Sequence, residues 1–158
     1  MWETILGAVS SVIPNVIADL MKSIFHMFRK KREKSSLRQE YELLRRMAAE
    51  ALTMNACYYC NPVDIAQHGN SLPEAYRKGS NELRALGAKF KGFAETLPDG
   101  VCDIPLSKAQ IAKVGNNFIG LSNSFNTPYQ CPNDRGSVQS AREMEKVIRN
   151  LLGITEIK

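Results

Sequence analysis

Residues 71–100 read SLPEAYRKGSNELRALGAKFKGFAETLPDG, and this stretch predicts an amphipathic helix with defined ends. Its large apolar residues recur every three or four positions, which places them on one helical face. We expect Ser71 to cap the N-terminus and Pro98-Asp99-Gly100 to end the helix. The predicted buried residues are Tyr76, Leu83, Leu86, Phe90, Phe93 and Leu97, and the glycines expected to permit close packing are Gly79, Gly87 and Gly92.

Two more helices with the same apolar spacing are predicted downstream. Ser107 is expected to cap the first, and Ser137 is expected to open the second after a loop rich in Pro, Asn and Gly. No strand-like alternation of convincing length occurs. The predicted buried faces are Ile111, Val114, Phe118, Leu121 and Phe125, then Val138, Ala141, Met144, Val147, Ile148, Leu151 and Leu152.

Upstream, a helix is predicted from Ser35 or Ser36 to about Asn55. Nothing between Phe28 and Leu37 forbids it from continuing the preceding helix. We therefore predict an all-α chain with two parts: an N-terminal membrane-directed helix with its basic flank (1–34) and a cytoplasmic up-and-down bundle of four helices (35–158). The expected buried face of the first bundle helix is Leu37, Tyr41, Leu44, Met47, Ala51 and Met54.

Six polar residues of the N-terminal segment from Trp2 to Phe28 form one narrow stripe. At about 100° per residue they fall within an arc of roughly 80°, opposite a continuous apolar face. Three interpretations remain open: a spanning helix that hides the stripe against copies of itself, a helix that lies in the membrane interface, and a helix of a soluble core. The predicted polar seam or pore lining is Thr4, Ser11, Asn15, Asp19, Lys22 and His26.

A basic cluster follows this segment at once, and only Glu33 opposes it. Such a cluster is typical of positive-inside anchoring, of contact with anionic lipid or of contact with nucleic acid. Its position beside the apolar run favours the first two and predicts a cell-membrane protein whose bundle is cytoplasmic. The expected headgroup-binding residues are Arg29, Lys30, Lys31, Arg32 and Lys34.

The sequence offers little catalytic or metal chemistry. Cys57 and Cys60 have C-x-x-C spacing, with His68, Cys102 and Cys131 as further conceivable zinc ligands, but no second short spacing repeats it. Buried reduced thiols at a helix end are the favoured interpretation. Only two histidines occur, and neither belongs to a recognisable nucleophile–base arrangement. We therefore predict no enzymatic activity, no metal and no cofactor.

The Leu121-Ser122-Asn123 helix, followed by a loop and a short Arg-bearing last helix, resembles HEPN-like domains of prokaryotic defence proteins. Some of these are membrane-anchored accessory proteins of RNA-targeting CRISPR systems that assemble into pores. The resemblance covers roughly Ser35 to Lys158. Active members cut RNA with an Arg followed four to six residues later by His, and neither His26 nor His68 has that Arg. The resemblance thus implies an inactive fold for assembly or partner sensing.

The leading functional prediction is a membrane-anchored homo-oligomer that forms a pore or perturbs lipid, as an antiviral defence effector. The alternative is a membrane-tethered, non-catalytic binding module for a protein or RNA partner, with affinity supplied by the basic stretch from Arg29 to Arg46. The first depends on the polar stripe, and the second depends on the basic charge.

Replacing Asn15 and Asp19 with leucine tests the pore. Leucines remove the polar groups expected to line a shared path, so dye leakage from liposomes should be lost while co-flotation with them is retained. Leakage that persists in the double variant would reject the pore.

Overall fold

The computed structural model describes residues 2–61, 63, 71–98, 104–125 and 135–155, with side chains described from Leu20 onward and, in the last range, from Val138 onward. These residues form four helices and no strand: α1 (Trp2–Cys60), α2 (Glu74–Thr96), α3 (Lys108–Ser124) and α4 (Arg135–Leu152). The prediction of an all-α chain is confirmed. The N-terminal helix and the first bundle helix form one continuous α1, the continuation that the sequence between Phe28 and Leu37 allowed.

The chain divides into two compact units, Met1–Arg38 and Gln39–Lys158. The first unit contains the N-terminal part of α1. The second contains the remainder of α1 together with α2, α3 and α4. The predicted division after residue 34 into membrane helix and cytoplasmic bundle stays a prediction.

Within the second unit, side-chain contacts show how α1 and α2 run. Asn55 lies against Gly79, and the rings of Tyr58 and Tyr76 are 4.8 Å apart between centroids. Later residues of α1 therefore meet earlier residues of α2, and the two helices are antiparallel.

Successive helices continue to alternate in direction. The Ser80 hydroxyl donates to the Ser122 carbonyl over 2.9 Å, and Phe90 stacks on Phe118 with centroids 5.7 Å apart. These contacts make α3 antiparallel to α2. The Arg45 Nε donates to the Leu152 carbonyl over 2.6 Å, which joins an early part of the bundle segment of α1 to the end of α4.

The buried face of α1 differs from the predicted one after Leu44. Met54 is 72% exposed, and Met47 is only half-buried. Since both the third and the fourth residue after Leu44 are apolar, spacing alone allows two continuations, and packing selects the one through Ala48. The buried residues are Tyr41, Leu44, Ala48, Leu52, Asn55 and Tyr59.

Two glycines bring α2 and α3 into close backbone contact. A Cβ on Gly87 would lie 2.7 Å from the Gly115 carbonyl oxygen, and a Cβ on Gly115 would lie 2.7 Å from the Gly87 carbonyl oxygen. Gly79 is similarly enclosed, by Asn55. The prediction was wrong for Gly92, where a Cβ would meet nothing within 4 Å.

Two helix ends show regular capping chemistry, whereas the prediction that Ser137 opens the last helix was wrong, because α4 begins at Arg135. Ser107 accepts from the Gln110 amide over 3.3 Å and its own amide donates to Gln110 Oε1 over 2.8 Å, which completes the expected cap as a capping box. Gly153, at φ 61°, ends α4 in a Schellman motif, in which the Ile154 amide donates to the Arg149 carbonyl over 2.9 Å. The prediction for α2 was wrong, because Pro73 occupies the N-cap and no side chain caps it.

Alanine substitutions at the three α2–α3 glycine positions should separate close packing from helix propensity. Gly87→Ala and Gly115→Ala should each lower the free energy of unfolding by about 1–3 kcal/mol, because each new methyl group meets a carbonyl oxygen. Gly92→Ala, the matched control, should raise it by about 0.5–1 kcal/mol because its site is open. Chemical denaturation measures all three, and equal effects would contradict the close approach.

Candidate functional site: the exposed surface of α1

Most of the net positive charge lies in the first unit. Residues 1–38 contain seven basic and three acidic side chains, a net of +4, whereas residues 39–158 contain fourteen and thirteen, a net of +1. Because long-range attraction follows summed charge, the first unit dominates any attraction to a negatively charged surface.

An apolar arc on α1 is exposed within this unit. At about 100° per residue its members span an arc of about 160°, so they form one continuous face of the helix. The apolar arc consists of Leu20 (60% exposed), Met21 (63%), Ile24 (37%), Phe25 (73%), Met27 (65%) and Phe28 (67%). Contiguous large apolar side chains of this kind mark a surface that contacts lipid or protein.

The opposite face of the same turns is polar. Lys22 and His26 are exposed there, together with Ser23. These are the two members of the predicted seam whose side chains the structure describes. The other four are Thr4, Ser11, Asn15 and Asp19; α1 includes their backbone, and their side chains lie outside the described part.

The basic cluster begins directly after the apolar arc. Arg29 Nε and Glu33 Oε1 form an exposed ion pair at 3.0 Å, a type of contact worth little in water. Four basic residues remain against no further acid. Together with Arg29 they occupy all sides of the helix, so the basic charges surround it rather than follow one face. They are Lys30, Lys31, Arg32 and Lys34, all exposed except the half-buried Lys34.

Across the described ranges, no helix combines the length and the apolar character that crossing a bilayer requires.

The bundle contains a buried polar cluster that the sequence did not predict. Arg149 Nε donates to Glu145 Oε1 over 2.7 Å, and the nearly inaccessible Tyr59 lies close enough to Glu145 for its carboxylate to act on the phenol. The Tyr59 hydroxyl donates to the Leu52 carbonyl over 3.2 Å. The only signal in the sequence is that Glu145 and Arg149 lie one turn apart among apolar residues.

This cluster links α1 with α4 and raises the pKa of the Tyr59 phenol. Burial is the largest cause, and the adjacent Glu145 carboxylate adds to it, while Arg149 acts in the opposite direction. A phenol with a raised pKa stays protonated, so Tyr59 serves as a hydrogen-bond donor in the core.

The C-x-x-C pair lies at the end of α1. Cys57 is exposed and Cys60 is half-buried, and both are free thiols. The expectation of buried thiols was therefore wrong, since the helix turns Cys57 to its surface. Within the described ranges no three His, Cys, Asp or Glu side chains group as a metal site. His68, Cys102 and Cys131 lie outside the described residues.

No protein-family model, no curated protein and no solved structure matches this chain. The resemblance to HEPN-like domains accordingly stays a prediction, and the functional argument depends on the geometry of the surface itself.

Alkaline titration should reveal the buried phenol. Because the pKa of Tyr59 is raised above its ordinary value of 10.0, its contribution is complete below about pH 10 and is lost as the pH rises further. The free energy of unfolding should therefore fall above pH 10, and Tyr59→Phe should flatten that fall while being less stable at pH 7. Denaturation at a series of pH values measures both, and an unchanged alkaline slope would contradict the burial of the phenol.

Proposed function

We propose that this chain binds anionic membranes through the first unit and perturbs the bilayer, with the apolar arc among acyl chains and the basic cluster among lipid phosphates. A single observation carries the proposal: six exposed large apolar side chains are followed at once by five basic residues. Those are the two chemistries that an interfacial helix combines. On this proposal the protein acts at the cell membrane with its bundle in the cytoplasm.

The interfacial mode of binding matches the shape of the surface. An arc of about 160° is wide enough to immerse one face of a helix while the opposite face stays at headgroup level. Lys22 and His26 then lie beside phosphates, where positive or polar groups are tolerated. Shallow insertion of this kind spreads headgroups in one leaflet, which is a direct route to bilayer perturbation.

The free energies that these side chains contribute are sufficient for reversible membrane binding. Fully burying a large apolar side chain contributes about 1.5–3 kcal/mol, and partial immersion contributes less. Each Lys or Arg near an anionic leaflet adds about 1 kcal/mol. Six apolar and five basic side chains therefore exceed the cost of immobilising the protein at a surface. We expect neither the apolar contacts alone nor the basic residues alone to offset the cost of immobilisation. Binding should therefore require both apolar contact and anionic lipid.

The decisive experiment is flotation of the full chain with liposomes. Phe25→Asp combined with Phe28→Asp should weaken binding to anionic liposomes about tenfold or more, because two members of the apolar arc are replaced with carboxylates. Ser23→Asp on the polar face, a control with the same type of new charge, should have a clearly smaller effect. Wild-type chain should bind zwitterionic liposomes weakly.

Two outcomes would reject membrane binding. One is equal binding by the wild type and the double aspartate variant, and the other is equal binding to anionic and zwitterionic liposomes. Dye leakage from liposomes that carry the bound protein would show that the protein perturbs the bilayer. Binding without leakage would show attachment alone.

The alternative function is a tethered binding module that grips RNA, and the observation favouring it is the ring of charge around α1 after Phe28. Phosphate contacts would make RNA affinity fall steeply with salt, and the aspartate variants would affect it far less than they affect liposome binding. An antiviral role for either function stays a prediction.

A further inference from the structure

The second unit carries its own exposed apolar surface, a groove between α1 and α2. The groove encloses about 280 Å³, and Met47, Ala51 and Leu86 line it. Glu82 and Lys89 lie along its α2 edge. Leu43, at 58%, and Met54, at 72%, are the most exposed large apolar residues in the described part of this unit. Met54 lines the groove, and Leu43 lies on the same face of α1 three turns before it.

The register of α1 against α2 is fixed by contacts at one end of the groove. Asn55 is level with Gly79, and Tyr58 is level with Tyr76. Three steps forward on α1 thus match three steps back on α2. Continuing this register, the midpoint between residues 48 and 49 of α1 lies level with the midpoint between residues 85 and 86 of α2.

The exposed apolar pair and the charged pair are both centred on that level. Leu43 and Met54 lie equally far on either side of it along α1, and Glu82 and Lys89 lie equally far on either side of it along α2. A rotation of 180° about an axis at this level, perpendicular to the helices, therefore exchanges Leu43 with Met54 and Glu82 with Lys89. The small side chain of Ala85 lies beside the axis.

We propose that this groove is the interface of a two-fold symmetric dimer of the chain. Leu43 of each copy packs on Met54 of the other, and Glu82 of each copy pairs with Lys89 of the other. A two-fold interface requires a patch that is complementary to itself, and the matched midpoints and the alternating charge supply that property. Arg46 and Glu50, one turn apart near the axis, bring opposite charges together in the same arrangement.

The occupant is a second copy because charges of both signs lie along each helix of the groove. A groove made for the basic cluster of α1 would carry an acidic rim, whereas Glu82 is matched by Lys89 along α2, and the lining residue Glu50 is matched by Arg46 one turn before it on α1. The dimer uses residues of the second unit only, so its failure can be distinguished from a failure of membrane binding.

Charge exchange at the α2 pair tests the register. In sedimentation velocity on the full chain, Glu82→Lys alone and Lys89→Glu alone should each raise the dimer dissociation constant about tenfold or more, because like charges then face each other twice per dimer. The combination of Glu82→Lys with Lys89→Glu restores opposite charges and should return the constant to near the wild-type value. Glu143→Lys, an equal charge change on an exposed position of α4, is the control and should leave the constant unchanged.

Met54→Asp tests the apolar pair and should also dissociate the dimer, with circular dichroism confirming that the helices persist. A wild-type chain that is monomeric at all concentrations would overturn the proposal and leave the groove to another protein. A dimer that resists the single charge changes and Met54→Asp would also overturn it. Loss of the dimer in the Phe25→Asp, Phe28→Asp variant alone would assign self-association to the apolar arc and overturn the groove.

Discussion

The close approach of α2 and α3 at Gly87 and Gly115 sets the spacing on which the bundle depends. Each glycine lies where the other helix presents a backbone carbonyl, so no larger residue fits without separating the helices. At this spacing the rings of Phe90 and Phe118 stack one turn away. The contact therefore fixes both the distance between the two helices and the layer of core side chains that joins them.

Polar contacts then fix α1 on α4. Arg45 holds the final carbonyls of α4, and the Tyr59–Glu145 contact holds α1 near its other end. Two anchors separated by about four helical turns leave α1 no freedom to rotate or slide. Because α1 cannot rotate, the apolar residues that are not directed inward must face outward. The exposure of Leu43 and Met54 is thus a consequence of the polar anchors rather than of a shortage of apolar residues.

The sequence predicted the buried faces of some helices better than those of others. The apolar stripes of α2 and α3 were predictable because each has one apolar choice per turn, and nearly all of those residues are buried. The buried face of α1 was not predictable, because Met47 and Ala48 are both apolar and either could have faced the core. In addition, Met54 is exposed while its polar neighbour Asn55 is buried. Asn55 is buried because its side chain donates to the Ala51 carbonyl and fills the space over Gly79. The Tyr59–Glu145 contact was equally hidden, since it joins residues far apart in sequence.

The two exposed apolar surfaces differ in the charge around them, and that difference is why we propose different partners for them. The apolar arc of the first unit adjoins a large excess of positive charge, so a second copy brought against it would be repelled and an anionic surface would be attracted. The groove of the second unit adjoins charges of both signs, so it attracts no anionic surface but can match itself. On the two proposals together, each dimer presents two copies of the helix that carries the apolar arc. Two weak attachments joined in this way bind far more tightly than one, because the second forms at a high effective concentration wherever the geometry lets both helices reach the surface. Dimerisation through the groove would in that case strengthen membrane binding by the apolar arc.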